Sequence, residues 1–193
     1  MRGFLAGFVA ALIVLGVVFF LAVKAGELPA RADGPLLPGE RWIARTALNA
    51  AIKREAPKPP YPFTATDADI ATGATLYVQN CAVCHGTAHT TPNAIARGLG
   101  PIRPPQFVRN PVDDDPEGET YWKIEHGIRF SGMPSYSPAL DERSIWALTY
   151  FLKRVPKDLP AAANAIWDDP STVAPPTPMP ALPTRPPRGS TAS

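Results

Sequence analysis

Residues 81 to 86 read Cys81-Ala82-Val83-Cys84-His85-Gly86, and the rest of the chain is interpreted outward from this stretch. The 193-residue sequence has 2 cysteines, and both lie here. Two thiols at this spacing, followed at once by an imidazole, suit covalent attachment to the two vinyl groups of a haem, with the imidazole bound to its iron. The motif therefore predicts one haem c, held by Cys81 and Cys84, with His85 as the proximal iron ligand.

Two other uses of a paired cysteine motif fit the sequence less well. A thioredoxin-type redox pair is expected near alternating strands and helices, and no strand-like alternation is present. A zinc site needs two further ligands at finger-like spacing, and neither His89 nor His126 has that spacing.

The second axial ligand of the iron has to come from elsewhere in the chain. The candidates are His89, His126, Met133 and Met179. His89 is too close in sequence to the proximal ligand, and His126 ends a predicted helix, where a partly exposed capping imidazole is the simpler interpretation. Met133 lies in Gly132-Met133-Pro134, where glycine permits a close approach and proline stiffens the exit. We therefore predict Met133 as the distal ligand, a pairing that favours a high reduction potential.

Three helical patterns surround these residues and predict an all-α domain over residues 66–156. Thr66 and Asp69 form a predicted capping box at the start of the first helix. Asp115 is the predicted N-cap of the second, with Pro116 in its first turn and Gly127 at its end. Asp141 is the predicted N-cap of the third, which has a broad apolar face up to about Arg154.

The N-terminal 25 residues form a predicted transmembrane anchor. Residues 3–23 are uncharged and apolar, which is long enough to cross a bilayer as a helix. Arg2 before this segment favours a cytoplasmic N-terminus, although Lys24 lies at the other end. A signal peptide is the alternative, because Val23-Lys24-Ala25 resembles a cleavage site, but the apolar run is longer than usual for one.

Residues 26–65 are predicted to be a spacer. One helix is expected from Arg41 to Arg54, either packed on the following domain or lying on the membrane surface with its basic side chains. The prolines at 57, 59, 60 and 62 then predict a stiff linker.

Residues 157–193 are rich in Pro, Ala, Ser and Thr and are predicted to be a largely disordered tail, with Ile166-Trp167 as a possible docking point. The overall balance of 19 basic and 17 acidic residues excludes a strongly basic footprint, so no nucleic-acid partner is expected.

About half of the chain resembles class I c-type cytochromes of the small, membrane-anchored, single-haem kind. The resemblance covers residues 69–154 and rests on Gly73-x-x-x-Tyr77-x-x-x-Cys81 leading into Cys84-His85-Gly86, on Ile128-x-x-x-Gly132-Met133-Pro134, and on Ile145-Trp146-Ala147-Leu148-x-Tyr150-x-Leu152. It implies three to five helices around one covalently bound haem.

The resemblance also implies roles for individual residues. Gly73 is expected to allow close contact between the first and last helices at Trp146 or Tyr150. The carbonyl of Pro101 is expected to accept the proximal imidazole's N–H, although Pro104 and Pro105 follow closely. Arg103, Arg109 or Arg129 could pair with a haem propionate, and a solvated arginine is the simpler interpretation of each.

These features predict a one-electron carrier rather than an enzyme. The expected partners are other redox proteins, such as a membrane oxidase, a cytochrome complex or a dehydrogenase. Because haem is attached to thiols outside the cytoplasm, the domain is expected on the periplasmic side of a bacterial inner membrane, held by a single span. The alternatives are a cytochrome subunit of a periplasmic dehydrogenase complex and a haem sensor or small peroxidase.

Overall fold

The computed structural model describes residues 2–90 and 92–175, and these residues are almost entirely helical. Eight α-helices and one short 3-10 helix follow one another, and the described residues contain no strand beyond an isolated bridge between Ile128 and Met133. The predicted all-α class is confirmed. The helices are α1 (Arg2–Ala25), α2 (Glu40–Glu55), α3 (Asp67–Asn80), α4 (Ala82–His85), α5 (Ala94–Arg97), α6 (Glu117–His126), α7 (Glu142–Arg154) and α8 (Ala161–Asp168), and the 3-10 helix is Pro170–Thr172.

The core is built where α3 crosses α7. A Cβ atom added to Gly73 would lie 2.2 Å from the carbonyl oxygen of Ala147 and 2.8 Å from the Cβ of Phe151. Only glycine allows the two helix backbones to approach so closely. The expected close contact is therefore present, but Gly73 meets the backbone of Ala147 and the base of Phe151 rather than Trp146 or Tyr150.

The predicted start signals of α3 and α7 match the observed ones. Thr66 accepts a hydrogen bond from the backbone N–H of Asp69, whose carboxylate accepts one from the N–H of Thr66, so the capping box is complete. The Asp141 side chain accepts from the N–H of Ser144. The prediction for α6 was wrong: its N-cap is Pro116, and the Asp115 carboxylate instead pairs with Lys123 at 2.9 Å.

The proline segment between α2 and α3 packs on the helical domain instead of holding it at a distance. The ring of Tyr61 packs against Trp146 at a tilt of 45°, with ring centroids 5.1 Å apart, and the Tyr150 hydroxyl donates to the carbonyl of Phe63 at 2.7 Å. A Cβ at Gly118 would lie 1.9 Å from the carbonyl oxygen of Pro57. The α2 helix itself packs against α6, with Ile52 buried. Residues 57–63, predicted as a stiff linker, therefore pack on the helical domain.

The segment after Pro156 is also ordered over part of its length. Helix α8 packs against α3, and Trp167 is 3% exposed, with its ring 5.5 Å from that of Tyr77. The chain docks at the predicted point, Ile166-Trp167, and the ordered part of the tail extends over residues 161–168, where Trp167 and the small Ala163 are buried against the core. Residues 176–193, which include the candidate ligand Met179, lie outside the described residues.

Helix α1 is long and apolar enough to cross a membrane and has no buried residue. A signal sequence near the N-terminus would have a similar length and apolar composition.

Candidate haem-attachment site

The cysteine motif forms its own short turn of helix at the end of α3. Cys81 closes α3 by donating its N–H to the carbonyl of Tyr77 at 2.8 Å, and α4 begins at the next residue. Both cysteines are unpaired and half-buried. Burial raises the pKa of the Cys81 thiol to about 12, and the neighbouring Cys84 adds to the shift. The pair therefore consists of two thiols on one turn, at the edge of the core.

His85 is held in one tautomer by the segment that follows the motif. Its Nδ1 lies 2.8 Å from the carbonyl oxygen of Pro105. A carbonyl only accepts, so Nδ1 carries the proton and Nε2 keeps a free lone pair. Burial lowers the pKa of His85, with the Pro105 carbonyl acting in the opposite direction, and the neutral imidazole is the form that binds a metal.

The partner of His85 corrects the prediction for Pro101. The hydrogen bond runs to Pro105, four residues further along, while Pro101 is exposed. The run Pro104-Pro105-Gln106 explains the difference, because Gln106 donates to the carbonyls of Cys84 and Pro104 and so fixes this segment against the motif. The polar side chain after two prolines was the signal that the sequence analysis missed.

Two aromatic residues that the sequence analysis did not assign to the site also hold the motif. Phe107 stacks on the His85 imidazole, with centroids 4.7 Å apart and planes at 14°. The buried hydroxyl of Tyr77 donates to the carbonyl of Gly86 at 2.6 Å. Gly86 has φ 69, and a Cβ there would lie 2.7 Å from the carbonyl oxygen of Thr90, so only glycine suits this position.

The loop that carries Met133 lies beside the two cysteines. The Tyr136 hydroxyl donates to the carbonyl of Asn80, the residue before Cys81, at 3.0 Å. Burial raises the pKa of Tyr136 to about 12, and its nearness to the thiols of Cys81 and Cys84 contributes. Met133 itself is half-buried against the same core. The structure thus brings the Met133 loop next to the motif, and the tether is Tyr136, three residues further on.

The two histidines outside the motif have other contacts. His89 is exposed and its Nε2 lies 3.8 Å from an Asp168 carboxylate oxygen of α8. His126 is half-exposed at the end of α6, where it lies 3.3 Å from Glu125 and edge-on to Trp122. Neither histidine contacts a residue of the cysteine motif through these interactions.

These residues fit a haem. Two unpaired thiols, an imidazole with a free Nε2 and a half-buried thioether form the donor set that a covalently bound haem requires. In residues 2–90 and 92–175 no three His, Cys, Asp or Glu side chains come close enough together to hold a metal ion, so the zinc alternative gains no ligand set there.

Comparison with known proteins gives one match to a family model. Residues 68–152 match the family model described as cytochrome C oxidase, cbb3-type, subunit III. No curated protein shows significant sequence similarity to the chain. Among solved structures, a chain of the reducing HAO-like protein complex of Kuenenia stuttgartiensis is 21% identical with a TM-score of 0.41, over 61% of the present chain. The match spans about 60% of the length of that neighbour.

Proposed function

We infer that residues 68–152, which match the family model, form a class I c-type cytochrome domain, an electron-transfer module rather than an enzyme. From this premise we propose that the protein is a one-electron carrier with a single haem c, bound covalently through Cys81 and Cys84 and ligated by His85 and Met133. The observation that carries the proposal is the hydrogen bond from His85 Nδ1 to the carbonyl of Pro105, which leaves Nε2 free to bind iron.

The protein's own residues then have defined tasks. Pro105 orients the imidazole and makes its Nε2 more basic. Tyr77, through Gly86, fixes the turn that carries His85. Tyr136 holds the Met133 loop against the end of α3. When bound, the haem supplies an iron that alternates between two oxidation states, and methionine ligation favours the reduced one.

We propose that α1 anchors the domain to a bacterial inner membrane, with the domain on the periplasmic side. Helix α1 is apolar over its length and contributes nothing to the core. Attachment of haem to thiols outside the cytoplasm supports this side. A tether raises the local concentration of the carrier near other membrane proteins.

A subunit role is the second candidate, and the family model favours it because it is named for a subunit of a membrane oxidase. The protein would then pass electrons within one stable complex, such as an oxidase or a periplasmic dehydrogenase. Purification of the full chain in a mild detergent distinguishes a free carrier from a subunit. A free carrier elutes alone, whereas a subunit retains a stoichiometric redox partner.

The haem proposal is tested on the full chain, produced with a cytochrome c assembly system. The mass of the denatured protein should rise by one haem, and Cys81→Ala or Cys84→Ala should each remove one thioether bond. The oxidised wild type should show the weak long-wavelength sulfur-to-iron band. Met133→Ala should lose the band and bind carbon monoxide, while Met179→Ala, the matched control, should keep it.

The opposite result identifies another ligand set. If Met133→Ala keeps the band and Met179→Ala loses it, the distal ligand comes from the tail. If the wild type lacks the band and already binds carbon monoxide, the iron has an open position and the carrier proposal is wrong.

A further inference from the structure

The loop after α1 touches the segment that follows the cysteine motif. A Cβ at Gly100 would lie 2.5 Å from the carbonyl oxygen of Ala32, so the two backbones are in contact. Seven residues, Gly26 to Ala32, separate this contact from the end of α1. A chain of that length spans at most about 25 Å. If α1 crosses a bilayer, the residues around Gly100 therefore lie within that distance of its surface.

The residues around this contact are arginines and apolar side chains. Residues 86–112 contain three arginines and residues 127–140 contain one, and neither segment contains a carboxylate. The second segment reaches the first through Gly132, where a Cβ would lie 2.7 Å from the Leu99 side chain. We give the name juxtamembrane face to the exposed arginine, isoleucine and phenylalanine residues within about five positions of Gly100 or Gly132: Ile95, Arg97, Ile102, Arg103, Arg129 and Phe130.

The side chains of this face are open to solvent. Ile95 is 71% exposed, Ile102 is 43% exposed and Phe130 is fully exposed. The three arginines are exposed, and the ion pairs found among the described residues all involve other side chains. Uncovered apolar side chains beside unpaired cations indicate an interaction surface.

Phe130 has a backbone conformation that bulky residues rarely adopt. Its φ is 64, at the third position of a turn closed by the hydrogen bond from Ser131 N–H to the carbonyl of Ile128. Glycine or asparagine is usual at such a position, and another residue costs on the order of 1 kcal/mol there. The strain presents a large aromatic ring to solvent, where it adds nothing to the core.

We propose that the juxtamembrane face lies on the surface of an anionic lipid bilayer and fixes the orientation of the cytochrome domain on the membrane. The proposal rests on the anchoring role of α1 proposed above. Arginines bind lipid phosphates, and isoleucine and aromatic side chains enter the headgroup region beside them. Exposed Trp42, in the first turn of α2 after the same loop, has the amphipathic character of an interfacial residue.

Lipid fits this face better than a second protein does, for a geometric reason. The loop after α1 keeps the face within about 25 Å of the bilayer surface in every molecule. A protein partner would have to fit into the space between the face and the bilayer. The six residues of the face include three arginines and no carboxylate, and Asp33, beside Ala32, is paired with Arg31.

The test uses the haem-loaded full chain in two sets of vesicles, one of phosphatidylcholine and one with phosphatidylglycerol added. Phenylglyoxal modifies accessible arginines, and mass spectrometry follows each site. We expect Arg97, Arg103 and Arg129 to react about fivefold more slowly in the anionic vesicles, the factor expected for one charge contact with such a surface. Arg143 on α7, whose side chain is 68% exposed, is the internal control and should react equally in both.

A charge-reversal pair checks that the effect belongs to this face. Arg97→Glu with Arg103→Glu should abolish the protection of Arg129. Lys53→Glu with Lys58→Glu changes the net charge equally at exposed positions of α2 and the proline segment, and should leave the protection intact. Shielding of an arginine by a haem propionate would be the same in both lipids, so the comparison removes it.

Three outcomes separate the possibilities. Selective protection in anionic vesicles supports the proposal. Equal reactivity in both lipids, with the protein still bound to the vesicles, overturns it while α1 remains an anchor, and it leaves the face to an acidic protein partner. Failure of the full chain to float with either vesicle overturns the anchor and the proposal together.

Discussion

Replacing Gly73 by alanine is expected to destabilise the domain by forcing α3 and α7 apart. The new Cβ would lie 2.2 Å from the carbonyl oxygen and 2.7 Å from the carbonyl carbon of Ala147, whereas an ordinary contact begins near 3.4 Å. The helices would have to separate by about 1 Å, because neither of these backbone atoms can rotate away. Overpacking of this kind costs about 1–3 kcal/mol, and the rigid backbone partner places Gly73 at the upper end.

The intrinsic helix preference works in the opposite direction and sets the net magnitude. Alanine is about 1 kcal/mol better than glycine inside a helix. The expected net loss is therefore about 2 kcal/mol of unfolding free energy, which lowers the midpoint temperature of a domain of this size by about 10 °C.

Thermal unfolding of the haem-loaded full chain in detergent, followed by circular dichroism, measures this loss. Gly16→Ala in α1 is the matched control, because nothing lies within 4 Å of its added Cβ. Adding Ala147→Gly should not restore stability, since the clash is with the backbone of Ala147 and not with its methyl group. An unchanged or higher midpoint for Gly73→Ala, or rescue by Ala147→Gly, would refute the close backbone contact.

Three further predictions concern α8, Lys153 in the last turn of α7, and the cap of α3. Trp167→Ala should lower the unfolding free energy by about 3 kcal/mol and expose residues 161–168 to proteolysis, because the ring is buried against Tyr77. Ile166→Ala is the control, and it should cost clearly less in the same denaturant titration because Ile166 is only half-buried. Lys153→Met should cost about 2 kcal/mol of unfolding free energy, since its ammonium donates to the carbonyls of residues 112, 113 and 115. Lys157→Met, which removes an exposed ion pair, should lower the urea midpoint clearly less, and urea titrations measure both variants. The hydrogen bonds with Thr66, and to a smaller extent Arg143, lower the pKa of Asp69. This carboxylate therefore contributes stability above its unfolded pKa, and the contribution is lost as pH falls through the folded pKa. Asp69→Asn should reduce the slope of unfolding free energy against pH below about 4, and an unchanged slope would contradict the cap.

The arrangement of the cysteine motif was predictable because it depends on local spacing. Cys81, Cys84 and His85 occupy one turn, so their relation is fixed by the peptide itself. The caps of α3 and α7 were predictable for the same reason, since a capping side chain bonds to a backbone N–H within three residues. The predicted N-cap of α6 was wrong because the Asp115 carboxylate binds Lys123, eight residues further along the chain, instead of a backbone N–H of the helix.

The partner of His85 was not predictable from spacing. Five prolines, at 92, 101, 104, 105 and 111, lie between the motif and Pro116, and each supplies a carbonyl. Which of them reaches Nδ1 depends on how the segment folds back, and Gln106 decides it by binding the carbonyl of Cys84. A side chain 22 residues away in sequence, acting through a backbone contact, leaves no periodic pattern to detect.

The sequence by itself determined the helical class, the cysteine motif with its adjacent histidine, and the apolar N-terminal helix, because these follow from side-chain type and short-range spacing. Only the tertiary structure decided that Pro105 orients the histidine, that residues 57–63 and α8 belong to the packed domain, and that the loop after α1 meets Gly100. Those contacts join segments far apart in the chain. Their stability comes from buried area and backbone fit, quantities that exist only once the chain has folded.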